Sequence, residues 1–258
     1  MKELFQYNQK IYTQKDLTNA LENIGIKNGD IICVHSEIYN FGIPLLPIKD
    51  FLNALLECLF EVIGKEGTLI MPTFTYSFCK NEVYDKLNSK CTVGALNEFF
   101  RKQQGVKRTN DPIFSFAVKG FKENIFLKNY KSCFGSNSVF DKLTKHKGKV
   151  VLFGNKHLGI TYTHYIEETM QVSYRYYKIF KGKTIDENKK IKKKEIIYFV
   201  RDLNQHSIAN RNKILNICEK NNISTTTSLG GAEILALQTE LFFKYFTKIM
   251  KRNEKIML

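Results

Sequence analysis

Thr161, His164 and Glu167 recur at three-residue spacing in the stretch Gly159-Ile160-Thr161-Tyr162-Thr163-His164-Tyr165-Ile166-Glu167-Glu168. On a helix, residues three apart share a face, so His164 and Glu167 would meet. A carboxylate beside an imidazole fixes its tautomer and raises its basicity, which makes a general base. Thr161, one turn earlier, suits either a hydroxyl donor to a developing oxyanion or a plain helix N-cap. The same spacing also suits an ordinary surface pair, so the chemistry depends on what the rest of the chain brings to it.

Three further segments combine polar groups with a strand end. Val34-His35-Ser36-Glu37 suits a polar strand exit or a phosphate grip by Ser36 and backbone N–H groups. Met71-Pro72-Thr73-Phe74-Thr75-Tyr76 offers two hydroxyls and two aromatics that suit a tunnel lining or a packed turn. Lys107-Arg108-Thr109-Asn110-Asp111-Pro112 leads into Phe114-Ser115-Phe116; there Arg108 and Asp111 either pair or bind an anion and an amine. No Cys-x-x-Cys occurs and no second His lies at helical spacing from His164, so no metal is expected.

The elements that would position these residues follow from pattern. Lys15 to Ile24 reads as an amphipathic helix, with Thr13 as cap and Gly25 as stop. Asp30 to His35, Thr68 to Met71, Ile113 to Val118 and a run from Lys149 to Gly154 read as buried strands. Between the first two, Leu52, Leu55, Leu56, Leu59 and Ile63 form one helix face, which predicts a parallel crossover. Gly94 to Arg101 reads as a short helix and Val139 to Leu143 as a helical turn. Tyr174 to Phe180 and Glu195 to Val200 alternate like antiparallel strands, a β-hairpin excursion near 174–200 joined by a lysine-rich turn. Helices are predicted over Ile208 to Lys220 and Ala232 to Lys251. The fold class is α/β, and residues 1–258 read as a single domain with no repeat.

Composition narrows the classes. Hydrophobic content of 43% and only 4 prolines indicate a folded chain without a long linker. The apolar region from Phe51 to Ile63 is broken by Asn53, Glu57 and Glu61, so no membrane span is expected, and the chain reads as cytoplasmic. The net charge of +15 suggests nucleic acid, but only six of the 40 basic residues are arginine, the usual fork for phosphates and base edges. A nucleic-acid binder is therefore the remote alternative, and anionic small molecules are the favoured ligands.

Five stretches in order carry a family resemblance: Val34-His35-Ser36; Gly67-Thr68-Leu69-Ile70-Met71-Pro72-Thr73-Phe74-Thr75; Arg108-Thr109-Asn110-Asp111-Pro112-Ile113-Phe114-Ser115-Phe116; Phe134-Gly135-Ser136-Asn137-Ser138; and Thr161-Tyr162-Thr163-His164-Tyr165-Ile166-Glu167. Together they resemble the aminoglycoside 3-N-acetyltransferase family of coenzyme A-dependent enzymes, over roughly residues 15 to 180. The resemblance implies a mixed central sheet flanked by helices and acetyl transfer from acetyl-CoA to a primary amine. It implies that His164 lies beside thioester and amine with Glu167 orienting it. It also implies that His35, Ser36, Thr73, Thr75, Arg108 and Ser115 contact coenzyme A. Where drug-modifying members carry His in an Arg-Ser-x-His-Pro segment, this chain has Asp111, an acid suited to holding an ammonium or moving a proton. With the positive charge, that departure favours a nucleotide-linked amino sugar of the kind used in surface polysaccharide synthesis. An aminoglycoside is the alternative acceptor, and a homodimer is the expected assembly.

Overall fold

The computed structural model describes residues 2–258. The chain opens with β1 (Glu3–Tyr7), β2 (Lys10–Thr13), α1 (Gln14–Asn23), β3 (Ile31–Ser36), β4 (Ile43–Pro44), α2 (Ile48–Ile63) and β5 (Thr68–Pro72). It continues through β6 (Tyr84–Asp85), α3 (Ala95–Arg101), β7 (Lys107–Arg108), β8 (Phe116–Gly120), α4 (Glu123–Phe126), α5 (Val139–Lys145), β9 (Lys149–Gly154) and α6 (Thr163–Met170). A hairpin of β10 (Arg175–Ile185) and β11 (Ile191–Arg201) follows, then α7 (Arg211–Lys220), β12 (Ser224–Leu229), β13 (Ala232–Gln238) and α8 (Thr239–Met250).

The apolar runs become the middle of a seven-stranded mixed sheet, ordered β12-β13-β9-β3-β5-β8-β7. β3 runs parallel to both β5 and β9, and the outer pairings are antiparallel. Side chains alternate between two cores, one on each face. Ile31, Cys33, Val150 and Leu152 enter one; Ile32, Val34, Val151 and Phe153 enter the other. Burial on both faces is why these strands are continuously apolar instead of alternating. The Cys33↔Val150 register matters because a one-residue slip would exchange the two cores.

Local signals fixed several boundaries. Thr13 and Asp16 form a reciprocal capping box on α1: the Asp16 N–H donates to Thr13 Oγ1 at 3.4 Å and the Thr13 N–H donates to Asp16 Oδ2 at 2.7 Å. Leu52, Leu55, Leu56, Leu59 and Ile63 of α2 are buried, and α2 is the crossover between parallel β3 and β5.

Three boundaries differ from the sequence pattern. The helix expected over Ala232 to Lys251 begins only at Thr239; its first part is β13, paired with β9 from Glu233↔Gly154 to Gln238↔Lys149. A buried central strand must find hydrogen-bond partners on both edges, and that demand overrides helical propensity. The strand expected from Ile113 begins at Phe116, because Asp111 Oδ1 accepts the N–H groups of Ile113 and Phe114 and holds the segment in a turn. The helix expected from Ile208 begins at Arg211, capped by Asn210, whose Oδ1 accepts the Lys213 N–H at 3.0 Å.

Candidate active site

β9 delivers the chain to the site through Gly154, whose φ is +100. A Cβ there would collide with the Glu37 carbonyl oxygen, so the strand exit requires glycine. The chain then tightens into α6: Thr163, His164 and Tyr165 donate their N–H groups to the carbonyls of Ile160, Thr161 and Tyr162. The residue at the N-cap position is Tyr162, without a side-chain cap, so Thr161 is not the helix cap.

His164 and Glu167 meet on one face of α6, with Nδ1 and Oε2 2.9 Å apart. Arg175, the first residue of β10, reaches the same Oε2 at 2.8 Å. Glu167 and Arg175 are sealed from solvent, with side chains 0% and 1% exposed, whereas that of His164 is 24% exposed. Arg175 Nη2 also approaches Nδ1 at 3.0 Å, but a single nitrogen cannot donate to Glu167 and accept from Arg175 at once. The carboxylate is the stronger acceptor, so Nδ1–H donates to Glu167, Arg175 donates to Glu167, and Nε2 keeps its lone pair.

The imidazole is nevertheless not lifted in basicity, as the sequence pattern suggested. His164 lies below its ordinary value, because burial outweighs the Glu167 hydrogen bond and the charges of Arg175 and Arg201 oppose protonation. Phe134, with its ring centroid 5.1 Å from the imidazole, is part of that dry environment. Arg175 and Arg201 were not recognised from sequence. The available signal was scarcity: three of only six arginines, Arg175, Arg201 and Arg211, line the cavity at His164.

Two cavities meet at this point. One of about 260 Å³ is walled by Thr163, His164 and those arginines. The other, of about 550 Å³, is walled by His35, Ser36, Phe74, Tyr76 and Asn97. Gly159 and Thr161 line both. His35, at the end of β3, is 8% exposed, and its Nε2 has no hydrogen-bond partner among the described residues. Burial drives its imidazole down to about 4, so it is neutral at pH 7. Ser36 Oγ donates to Asn97 Oδ1 at 2.6 Å, and Asn97 Nδ2 donates to the Pro72 carbonyl at 2.7 Å, which ties α3 to the ends of β3 and β5.

The other sequence candidates lie behind this wall. Arg108 is 5% exposed, and its Nε lies 3.1 Å from both Thr73 Oγ1 and Ser115 Oγ. It also donates to the carbonyls of Thr73 and Ser89, each at 2.6 Å. Thr75 Oγ1 donates to the Pro112 carbonyl at 3.0 Å. Thr73, Thr75, Arg108 and Ser115 therefore brace the segment from within and line neither cavity; Phe74 and Tyr76 of that segment face the larger one. Asp111 is 1% exposed and lines neither cavity. Among the described residues it forms no ion pair with Arg108, and burial raises its carboxyl above the usual range. Among the same residues, no cluster of three or more His, Cys, Asp or Glu is arranged to hold a metal ion, and no helix is long and apolar enough to cross a membrane.

Comparison with known proteins gives the family and the fold. A family model described as aminoglycoside 3-N-acetyltransferase matches residues 33–251. The SPbeta prophage-derived aminoglycoside N(3')-acetyltransferase-like protein YokD of Bacillus subtilis (strain 168) is 26% identical over 178 residues, 60% of this chain and 64% of that protein. Aminoglycoside N(3)-acetyltransferase IV of Salmonella sp is 27% identical over 167 residues, 63% of this chain and 61% of its own length. The chain thus spans less than two thirds of the curated relatives it matches. Solved structures cover more. AAC-IIIb in binary complex with CoASH superposes with a TM-score of 0.78 at 19% identity, covering 93% of this chain and 97% of that one. AAC-VIa bound to sisomicin gives 0.80 at 16% identity, covering 93% and 98%. The mixed α/β fold is shared with these enzymes, and the chain belongs to the aminoglycoside 3-N-acetyltransferase family.

Proposed function

We propose that this protein transfers the acetyl group of acetyl-CoA to the primary amine of an amino sugar. The observation that carries the reading is the His164–Glu167–Arg175 cluster, opening on one cavity that meets a second at Gly159 and Thr161. Two cavities that share Gly159 and Thr161, one of them lined by the general base, suit two substrates that react where they meet.

An amine attacks a thioester only when neutral, and sugar amines are mostly protonated near pH 7. His164 Nε2 accepts a proton from the amine as the amine nitrogen bonds the thioester carbon, while Glu167 holds the ring in the required tautomer. The C–S bond then breaks, and the protonated imidazole gives the proton to the departing thiolate to form free coenzyme A. Arg175 holds Glu167 in place by donating to the same Oε2. Thr161, at the seam of the two cavities, donates to the oxygen on which negative charge develops. The larger cavity suits the coenzyme, since the orphan His35 Nε2 would gain a partner there, beside Ser36. Thr73, Thr75, Arg108 and Ser115 serve the coenzyme indirectly, by stiffening the segment that carries Phe74 and Tyr76. Asp111 takes no part in proton transfer in this reading, because it faces neither cavity.

The names of the relatives support an aminoglycoside acceptor. A nucleotide-linked amino sugar has no counterpart among them and rests on the charge of this chain. The deciding experiment follows free coenzyme A with a thiol reagent. Purified protein and acetyl-CoA are incubated with dTDP-, UDP- and GDP-linked amino sugars beside several aminoglycosides. Turnover on any member, abolished in His164→Ala, is the expected result. Silence across the panel, together with no binding of coenzyme A, overturns the acetyltransferase reading.

A further inference from the structure

The cavity over His164 is built by the ends of three elements, each contributing an arginine. Arg175 begins β10, Arg201 ends β11, and Arg211 begins the ten-residue helix α7. No Asp or Glu is among the described residues that line it. Arg175 is committed to Glu167 and the Phe199 carbonyl, yet its buried Nε still has no partner among the described residues. Arg201 is half-buried, and its guanidinium has neither a hydrogen bond nor an ion pair among those residues. Arg211 spends one donor, Nη1, on the His157 carbonyl and keeps the rest of its fork free. The N-terminus of α7 adds positive potential at the same rim.

Like charges gathered around a half-enclosed space repel one another and disfavour protonation of the neighbouring imidazole. An anion arriving in that space would offset their mutual repulsion. A polycationic amine meets the opposite situation: no carboxylate lining the cavity to hold its ammonium groups and the guanidinium groups of Arg201 and Arg211 to repel them.

We propose that the acceptor carries an acidic group, a carboxylate or phosphate, near its amine, and that Arg201 and Arg211 bind it. The proposal deepens the reading of His164 as the acetyl-transfer base and rests on it. Planar guanidinium forks match carboxylate and phosphate oxygens two at a time. The bound anion also offsets the field of Arg201 at His164, so the base strengthens when the acceptor is in place. The coenzyme has phosphates of its own, but in this reading it occupies the larger cavity, beyond Gly159 and Thr161.

The test titrates inorganic phosphate into the full chain and follows the His164 ring resonances by NMR, assigned by their loss in His164→Ala. Saturable shifts are expected. Arg201→Ala and Arg211→Ala should each weaken phosphate binding by about tenfold or more, while Arg201→Lys retains part of it. Saturating coenzyme A should leave the phosphate in place, and glucosamine 6-phosphate should bind at least about tenfold more tightly than glucosamine. Absence of a saturable shift, or an unchanged affinity in both alanine variants, overturns the proposal. So does displacement of phosphate by coenzyme A, which would assign the arginines to the coenzyme. Phosphate binding with neither acetyl transfer nor coenzyme A binding would keep the anion subsite and remove the acetyltransferase reading, so the two fail separately.

Discussion

A single carboxylate oxygen, Glu167 Oε2, is shared between an imidazole and a guanidinium, and this sharing governs what His164 can do. Replacing His164 with alanine should lower kcat by about a hundredfold or more, with the KM for acetyl-CoA little changed; an unchanged kcat in steady-state assays would dismiss it as the base. Glu167→Gln removes the charge that balances buried Arg175. Breaking a buried pair costs about 3–5 kcal/mol, so urea unfolding should register a large loss alongside the loss of rate. The pH profile follows from sign. Only the neutral imidazole accepts a proton, and the His164 value is depressed, so the acid limb of kcat/KM should lie below about 6.5. Arg201→Ala removes one of the opposing charges and should move that limb upward. A wild-type limb above the ordinary imidazole value would contradict the site described here.

At the scale of elements, α6 is useful because β9 and β10 hold it from both sides. β9 turns out of the sheet at Gly154, and β10 begins with the arginine that clasps Glu167. Gly154→Ala should destabilise the fold by more than about 1 kcal/mol, because its φ of +100 and the Glu37 carbonyl both exclude a Cβ. Calorimetry would register this, and kcat should fall with it as the loop into His164 shifts. Thr13→Ala offers a contrasting measurement. It removes the α1 capping box, costing about 1 kcal/mol, and should leave kcat/KM unaltered at temperatures well below melting.

The whole molecule carries a net charge of +15, and the cavity over His164 repeats that bias locally. Long-range attraction and local recognition then act in the same direction on an anionic acceptor. Raising ionic strength should lower kcat/KM for a phosphorylated amino sugar and raise it for an aminoglycoside. Equal salt slopes for the two would indicate that the field plays no part in acceptor choice.

The sequence by itself determined what local physics controls. A three-residue spacing brings His164 and Glu167 together on any helix, a Thr-x-x-Asp run caps α1, and unbroken apolar runs make β3, β5 and β9 central strands. The ordered motifs likewise pointed to the family that the comparisons establish. Tertiary structure decided whatever depends on residues distant in the chain. Ala232 to Gln238 became a strand because β9 needed a second edge partner. Thr73, Arg108 and Ser115 turned inward because their hydrogen bonds close on one another, which no spacing reveals. The basicity of His164 reversed direction because tertiary packing buries its ring and brings Arg175 and Arg201, paired at the open end of the hairpin, close to it, and both burial and electrostatic fields depend on distance in space and not along the chain.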